Sequence, residues 1–578
     1  MTRSATHTES ALWQFGERSK VPCLFVLVLA LLALMYLVLV GPGASYTSVW
    51  LNDAMALTAG AYRVYSGQTP SVDFKSLFGA AIYYPAALGF SLGYGPGSVL
   101  AFGHVVVAAF LLPLVAIVGQ SRFSLLPTAV LILFLLLLIA IPMNMGGLST
   151  GVSFGVFYNR HSWACLTIVA LCYVQPRSPS RAGIWMDGGA LALILLVLLY
   201  STINFAAVAF VLVLANAVVS AYNRRVAMIG LFGVLLGALA VEGLLGYHAA
   251  YLADIVPSVQ RNPNAVPGLS KLVGTSLIDS QVELVTAFVG LLILRACGRR
   301  KLLDAAFIVG LAAACVALAN QTGADTSGLP VLAAVLVCFG ELLRRQQAAD
   351  KTARLPSQGN ALLPALSMLG LLLIFVAHPI SSNVMAAYYY FKATTANPPT
   401  RIANLPVRLS GFLVGPETPD PVDAALGHSD AAHADVAKVR RTLGSRLPTA
   451  EYLATLAEGT RLLSSAADHN ASVVVFDMTD PFTFALELRP TRYGYPFFWA
   501  DRIVSANHYP PAERFFSDAE YVMVPVLPYQ QTQLDTMLSI YGEYLRTHYT
   551  LDAKSRHWRL WKRSATVMRL GRQATAAT

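Results

Sequence analysis

Apolar runs of about twenty residues recur from Val21 to roughly residue 378, and few folds accommodate them. About 20 mostly apolar residues in a helix cross the hydrocarbon of a bilayer, where lipid offers no partner to an exposed backbone N–H or C=O. The chain therefore reads as an α-helical polytopic membrane protein. Composition agrees: 56% of residues are hydrophobic and 12% charged, against roughly 25% charged in ordinary globular chains. The first run, Val21 to Val40, is longer than the core of about 7–15 residues in a signal peptide, so it is expected to stay as an anchor. Cys23, Cys165, Cys172, Cys297, Cys315 and Cys338 lie in or beside apolar runs, with no CxxC and no neighbouring His pair. They read as small buried hydrophobes, not as disulfides or metal ligands.

About eleven spans are expected: near 21–42, 98–119 and 125–143, one from His161, two short ones within 191–219, then 226–246, three more up to Arg344, and the last near 361–378. Ser201-Thr202-Ile203-Asn204 splits the 191–219 run, although one bent helix is the alternative. Loops placed in the cytoplasm carry 16 Lys/Arg and outer loops 5 (Arg63, Lys75, Arg160, Arg261, Lys271). This asymmetry puts the N-terminus inside and residues after His378 outside. The formal charge of +10 is thus spent mostly on orientation, and nucleic-acid binding is not expected.

Two domains follow. Residues 1–378 form the transmembrane domain, with outer loops 44–97 and 247–281. Residues 379–578 form a soluble α/β domain outside the cytoplasm. Pro398 to Asp435, rich in Pro, Asp and Ala, reads as loop or linker. A helix is expected from Pro448 to Ala466, strands at 472–476 and 521–526, a second helix over 531–545, and a closing hairpin over 549–563.

Chemistry concentrates in loop 44–97. Span interiors hold almost no charge, with His104, Glu242 and Asp304 as exceptions, whereas ion-coupled carriers keep such groups near the midplane. Asp53 is the first candidate for a general base toward an acceptor hydroxyl. Asp73 is the second carboxylate of the loop, placed to orient the acceptor or hold a cation. The purely structural alternatives are a helix N-cap for Asp53 and a loop cap for Asp73. Asp477 to Phe482, at a strand end, reads as a turn. No Walker loop, GxGxxG or His/Cys ligand set is present in the sequence.

An opening span, an outer loop with an acidic motif and a G-x-x-P-x-x-D-F type stretch make the layout resemble the GT-C superfamily of polytopic glycosyltransferases, which use polyprenyl-phosphate sugars. The counterparts are Asn52-Asp53, where the family's common pair is Asp-Glu, and Gly67-Gln68-Thr69-Pro70-Ser71-Val72-Asp73-Phe74. The departure leaves open whether Asp53 or Asp73 is the base. Tyr158-Asn159-Arg160-His161-Ser162-Trp163 at the mouth of the fourth span also looks like a family feature.

The resemblance implies a GT-C-like fold and a bacterial inner-membrane location. It also implies inverting transfer of a sugar from a polyprenyl phosphate to a glycan, lipid or protein acceptor outside the cytoplasm. The donor phosphate would meet Arg160 first, with His161, Arg261, Lys271 and Lys75 next, because guanidinium grips phosphate in bidentate fashion. Asn52, Tyr62, Lys75, Tyr158, Asn159 and Gln321 are the expected substrate contacts. No cofactor is expected and no metal ligand is assigned; a divalent cation is left open. A transporter or flippase of lipid-linked glycans and a non-catalytic membrane scaffold are the rival readings.

Overall fold

A computed structural model describes residues 3–143, 151–155, 157–261, 281–297, 301–322, 328–350, 380–395, 405–415, 446–500, 502–505 and 507–564. The segment near 361–378, Lys271 and the rest of 262–280, and most of 398–435 lie outside the described residues.

The chain is mostly helical. Helix α1 (Arg3–Leu39) leads through β1 (Ser45–Thr47) to α2 (Leu51–Tyr65), the short α3 (Tyr84–Ser91) and α4 (Pro96–Arg122). Helices α5 (Leu125–Ala140), α6 (Phe157–Leu171), α7 (Arg181–Leu199), α8 (Ile203–Ala217), α9 (Ala221–Leu245) and α10 (Tyr247–Arg261) follow. Next come α11 (Gln281–Cys297), α12 (Lys301–Thr322), α13 (Leu329–Asp350) and α14 (380–395). Among the described residues five stretches are long and apolar enough to cross a membrane: Lys20–Leu39, Pro96–Arg122, Arg181–Leu199, Ala221–Leu245 and Leu302–Ala319. Shorter apolar helices occupy Leu125–Ala140, Ile203–Ala217 and Leu329–Glu341. On α9, Met228, Phe232, Leu235, Leu236 and Leu239 are exposed, an apolar stripe suited to lipid.

Polar clamps close the helix ends that sequence places in the cytoplasm. Arg122 is buried and pairs with Asp187 at 2.7 Å. Tyr222 donates to the same carboxylate at 2.9 Å, and Arg122 Nε donates to the Val174 carbonyl. Arg177 pairs with Glu341. These arginines, expected as loop charges, fasten α4, α7, α9 and α13 together. A buried guanidinium is tolerable only when its donors find such acceptors.

At the opposite end β1 pairs in parallel with β2 (Phe412–Val414), Ser45 beside Phe412. The expected linker over 398–435 is thus a strand at 412–414. Composition concealed it because only three residues, Phe-Leu-Val, carry the apolar signal. The approach is tight: a Cβ on Gly97 would lie 2.5 Å from the Gly411 carbonyl oxygen.

Residues 446–564 build a mixed sheet in the order β3-β4-β6-β5, from β3 (Val473–Val475), β4 (Tyr521–Pro525), β5 (Tyr549–Lys554) and β6 (Trp558–Arg563). Helix α15 (Thr449–Ser464) precedes β3, short helices α16 (Phe482–Ala485) and α17 (Ala512–Phe515) lie between β3 and β4, and α18 (Gln531–His548) follows β4. Strand alternation decides the layers. Val473, Val475, Met523 and Leu560 join the core continuous with the membrane helices. Val474, Phe476, Val522 and Val524 instead pack on Leu534, Met537 and Tyr541 of α18.

Gly97→Ala is expected to force the start of α4 away from the turn ahead of β2 and cost about 1–3 kcal/mol, the usual range for overpacking. Gly95→Ala, which meets nothing within 4 Å, is the matched control. Thermal unfolding of the detergent-solubilised pair measures the difference.

Candidate functional site

Helix α2 carries the central carboxylate. Trp50, in left-handed backbone at φ 52°, turns the chain into the helix, a conformation that costs a non-glycine residue of order 1–3 kcal/mol. Asp53 is therefore the third residue of α2 and not its N-cap. Asn52 Nδ2 donates to Asp53 Oδ1 at 2.7 Å and lies 3.5 Å from Met478 Sδ of the C-terminal segment. On the other flank, a Cβ on Gly155 would come within 2.8 Å of Asp53 Cβ. Burial pushes the Asp53 carboxyl up from 3.8 to about 6, and Arg446 and the Asn52 hydrogen bond oppose that shift only in part. The result is a carboxylate still mostly ionised at neutral pH but more basic than an ordinary aspartate.

The facing wall is aromatic and cationic. Phe78 packs on Tyr158 of α6 with ring centroids 4.5 Å apart and reaches Phe497 at 6.5 Å. Arg502 lies over the Trp499 ring at 4.6 Å. Its buried Nε has no hydrogen-bond partner among the described residues. Asp53 and Arg502 both act electrostatically on the Tyr158 phenol, so the three share one neighbourhood. Sequence reasoning missed Arg502, which sits in irregular chain without a motif. The available signal was the Phe497-Phe498-Trp499 run just ahead of it in a polar domain.

Arg63 locks α2 to the C-terminal sheet. Its buried guanidinium pairs with Asp480 at 3.1 Å, donates to the Thr491 carbonyl at 2.5 Å and covers the Phe74 ring at 5.7 Å. Asp480 also accepts from the Thr483 hydroxyl at 2.5 Å. The turn expected at 477–482 is thus the docking point of the C-terminal segment on α2.

The remaining expected residues fall into separate groups. Asp73 and Tyr62 line a polar cavity of about 460 Å³ at the far end of α2. Nine helical steps from Asp53 to Tyr62 amount to about 13 Å, so the two carboxylates do not share a site. Asp73 Oδ2 accepts from Thr69 N–H at 2.8 Å, which is the loop-capping alternative. Lys75 pairs with Asp254 of α10 at 2.5 Å, and Arg261 at the end of α10 donates to Ser505 Oγ at 2.9 Å. The field of both cations reaches His508, making a basic rim beside the Arg502 loop.

Asn159, Arg160 and His161 are buried in the first turn of α6. Tyr158 and Arg160 are two residues apart, about 200° around the helix, so Arg160 points away from the phenol that Asp53 faces. It donates to the Met143 carbonyl. Arg160 Nε and Nη2, His161 Nε2 and Asn159 Oδ1 find no partner among the described residues. His161 stacks edgewise on His104, centroids 4.9 Å apart, beside a crevice of about 30 Å³, room for a water. The expected meeting of Arg160 with Asp53 and Asp73 is therefore not observed: helix phase turns the first away, and the length of α2 separates the others. Gln321 ends α12, half-buried. Among the described residues no three His, Cys, Asp or Glu side chains gather as a metal site.

No family model and no curated protein matches the chain. Among solved structures it is similar to ArnT from Cupriavidus metallidurans in the apo state, at 13% identity over 93% of this chain and 98% of that one, with a TM-score of 0.38. The same protein bound to undecaprenyl phosphate gives 13% identity, the same coverage and a TM-score of 0.36. The Archaeoglobus fulgidus oligosaccharyltransferase with Zn and sulfate gives 11% identity over 89% of this chain and 70% of that one, with a TM-score of 0.34. Both proteins are members of the GT-C superfamily.

Arg63→Met is expected to cost about 3–5 kcal/mol, because it strands a buried Asp480 carboxylate. Adding Asp480→Leu should recover much of that loss. A double-mutant cycle from denaturation midpoints reads the coupling, and simple additivity would show that the pair does not hold α2 in place.

Proposed function

We propose that this protein is a membrane glycosyltransferase that moves a sugar from a polyprenyl-phosphate carrier to an acceptor hydroxyl outside the cytoplasm. The observation that carries the reading is the half-buried Asp53, kept basic by burial and sharing the Tyr158 phenol with the Arg502 guanidinium. A general base works best with a pKa near the operating pH, and a leaving phosphate needs cationic donors fixed in advance. Both are supplied where the C-terminal sheet meets the helices.

In this reading residues 1–378 form a membrane domain of about eleven spans in a bacterial inner membrane, with the N-terminus in the cytoplasm. Residues 379–578 form an α/β domain on the outer side. Asp53 takes the proton of the acceptor hydroxyl, whose oxygen attacks the anomeric carbon. The bond from that carbon to the phosphate oxygen breaks, the electron pair leaves with the phosphate, and the anomeric centre inverts. Arg502 stabilises the departing phosphate, and the Lys75–Arg261 rim draws the anionic donor inward. Arg160 and His161 form a second, buried anion position, whose donors are left unpartnered among the described residues. Tyr158, Phe78 and Trp499 offer ring faces to the sugar.

Sugar transfer from a polyprenyl-phosphate donor in vesicles tests this. Asp53→Asn is expected to lower kcat by about 10²–10⁴-fold, and Arg502→Ala by about 10²–10³-fold with partial recovery in Arg502→Lys. Because the raised carboxyl must be deprotonated to act, kcat/KM should fall tenfold per pH unit below about 6 and level off above it. Full activity in both Asp53→Asn and Arg502→Ala removes the site.

Substitution also separates the two anion positions. Arg160→Ala should raise KM for the donor and leave the pH profile unchanged. An Arg160 variant as inactive as Asp53→Asn, beside a fully active Arg502→Ala, moves the leaving phosphate to the buried position.

A further inference from the structure

The cavity at the C-terminal end of α2 takes no part in the chemistry above, yet its volume of about 460 Å³ falls in the range of ligand sites, roughly 300–1,000 Å³. Its walls come from α2, the 66–73 turn and the C-terminal segment, joined by bonds across the seam. Tyr493 N–H donates to the Asp73 carbonyl at 2.6 Å, and Gln68 Nε2 donates to the Pro490 carbonyl at 3.0 Å. Ser71, Glu487 and Tyr493, in or beside these walls, adopt left-handed backbone at φ 63°, 53° and 60°. Three such non-glycine residues around one hollow are a cost that packing alone does not require.

The wall carries acids and bases in comparable number, and they differ in what they meet. Asp73 and Asp518 keep their charge but have acceptor oxygens turned to backbone N–H groups, those of Thr69 and Arg492, and Glu487 is ion-paired with Arg408. The cations are not engaged: among the described residues the side chains of Arg489, Arg492 and His469 make no hydrogen bond or ion pair. We propose that this cavity is a binding site for an anionic saccharide, a sugar carrying phosphate or carboxylate, with the anion on Arg489 and Arg492 and the sugar ring against Tyr62. Guanidinium groups favour such anions through paired N–H donors. The second oxygen of Asp73 remains to accept a sugar hydroxyl. The proposal rests on the transfer reading only in taking the ligand to be a saccharide, and it places the sugar ring at Tyr62, about 13 Å along α2 from Asp53, so the site holds an acceptor away from its reacting hydroxyl.

Calorimetric titration of the full-length protein in detergent, with a phosphorylated oligosaccharide and its dephosphorylated counterpart, tests this apart from turnover. The phosphorylated chain is expected to bind at least tenfold tighter, with the preference shrinking as salt rises. Arg489→Ala with Arg492→Ala should abolish the preference, and the double Lys variant should keep most of it. Asp53→Asn should bind as the parent does, so a failure of sugar transfer and a failure of this site give different results. Equal affinity for the two oligosaccharides, or a preference that survives the double Ala change, overturns the proposal. Inorganic phosphate competing as well as the phosphorylated sugar overturns the saccharide assignment. Presentation of the same sugar phosphate free or on a lipid in vesicles distinguishes a soluble from a membrane-borne ligand, and both must depend on the two arginines.

Discussion

The ion pair between Arg63 and Asp480 is the contact on which the site geometry depends. It joins residues 417 positions apart with almost no exposure of either side chain. A desolvated pair of this kind gains little over apolar packing, but losing one partner is severe. Its value is directional. The guanidinium fixes the rotation of α2, so Asn52 meets Met478 and Asp53 faces the wall of Tyr158 and Arg502. The same fixation leaves the opposite end of α2 to form the polar hollow. One helix thus presents two different environments, and its length keeps them apart.

Polar groups in the first turn of α6 contrast with the satisfied clamp around Arg122. Arg122 spends its donors on Asp187, Val174 and its own turn. Arg160 is equally buried and leaves two nitrogens unpartnered among the described residues. Buried donors without acceptors are uncommon in folded proteins. The difference marks one set of side chains as structural and the other as ready for a ligand or water.

Periodicity and composition made the helices legible, because lipid enforces twenty-residue apolar runs and strand pairing enforces alternation. The helix over 449–464, the strands at 473–475 and 521–525 and the hairpin over 549–563 all carried local signals. The three-residue strand Phe412–Val414 did not: its pairing with Ser45–Thr47 is a long-range event in a Pro- and Asp-rich stretch. Asp53 stood out as an acid in a membrane-facing loop. Arg502 did not, since its role comes only from the approach of a distant domain to Tyr158. The grouping of Asp73 with Asp53 failed for a simple reason: proximity in a loop does not survive twelve intervening helical residues.

Strand β1 has its partner 367 residues downstream. At ribosomal speeds of about 5–20 residues per second, roughly 20–70 seconds pass between synthesis of Thr47 and of Phe412. During that interval the segment after α1 exists with an open hydrogen-bonding edge and with Arg63 lacking its counter-charge. Pairing of β1 with β2 is therefore a late event of biogenesis, and a nascent chain arrested before residue 412 exposes an edge that other strands, or a chaperone, can cover.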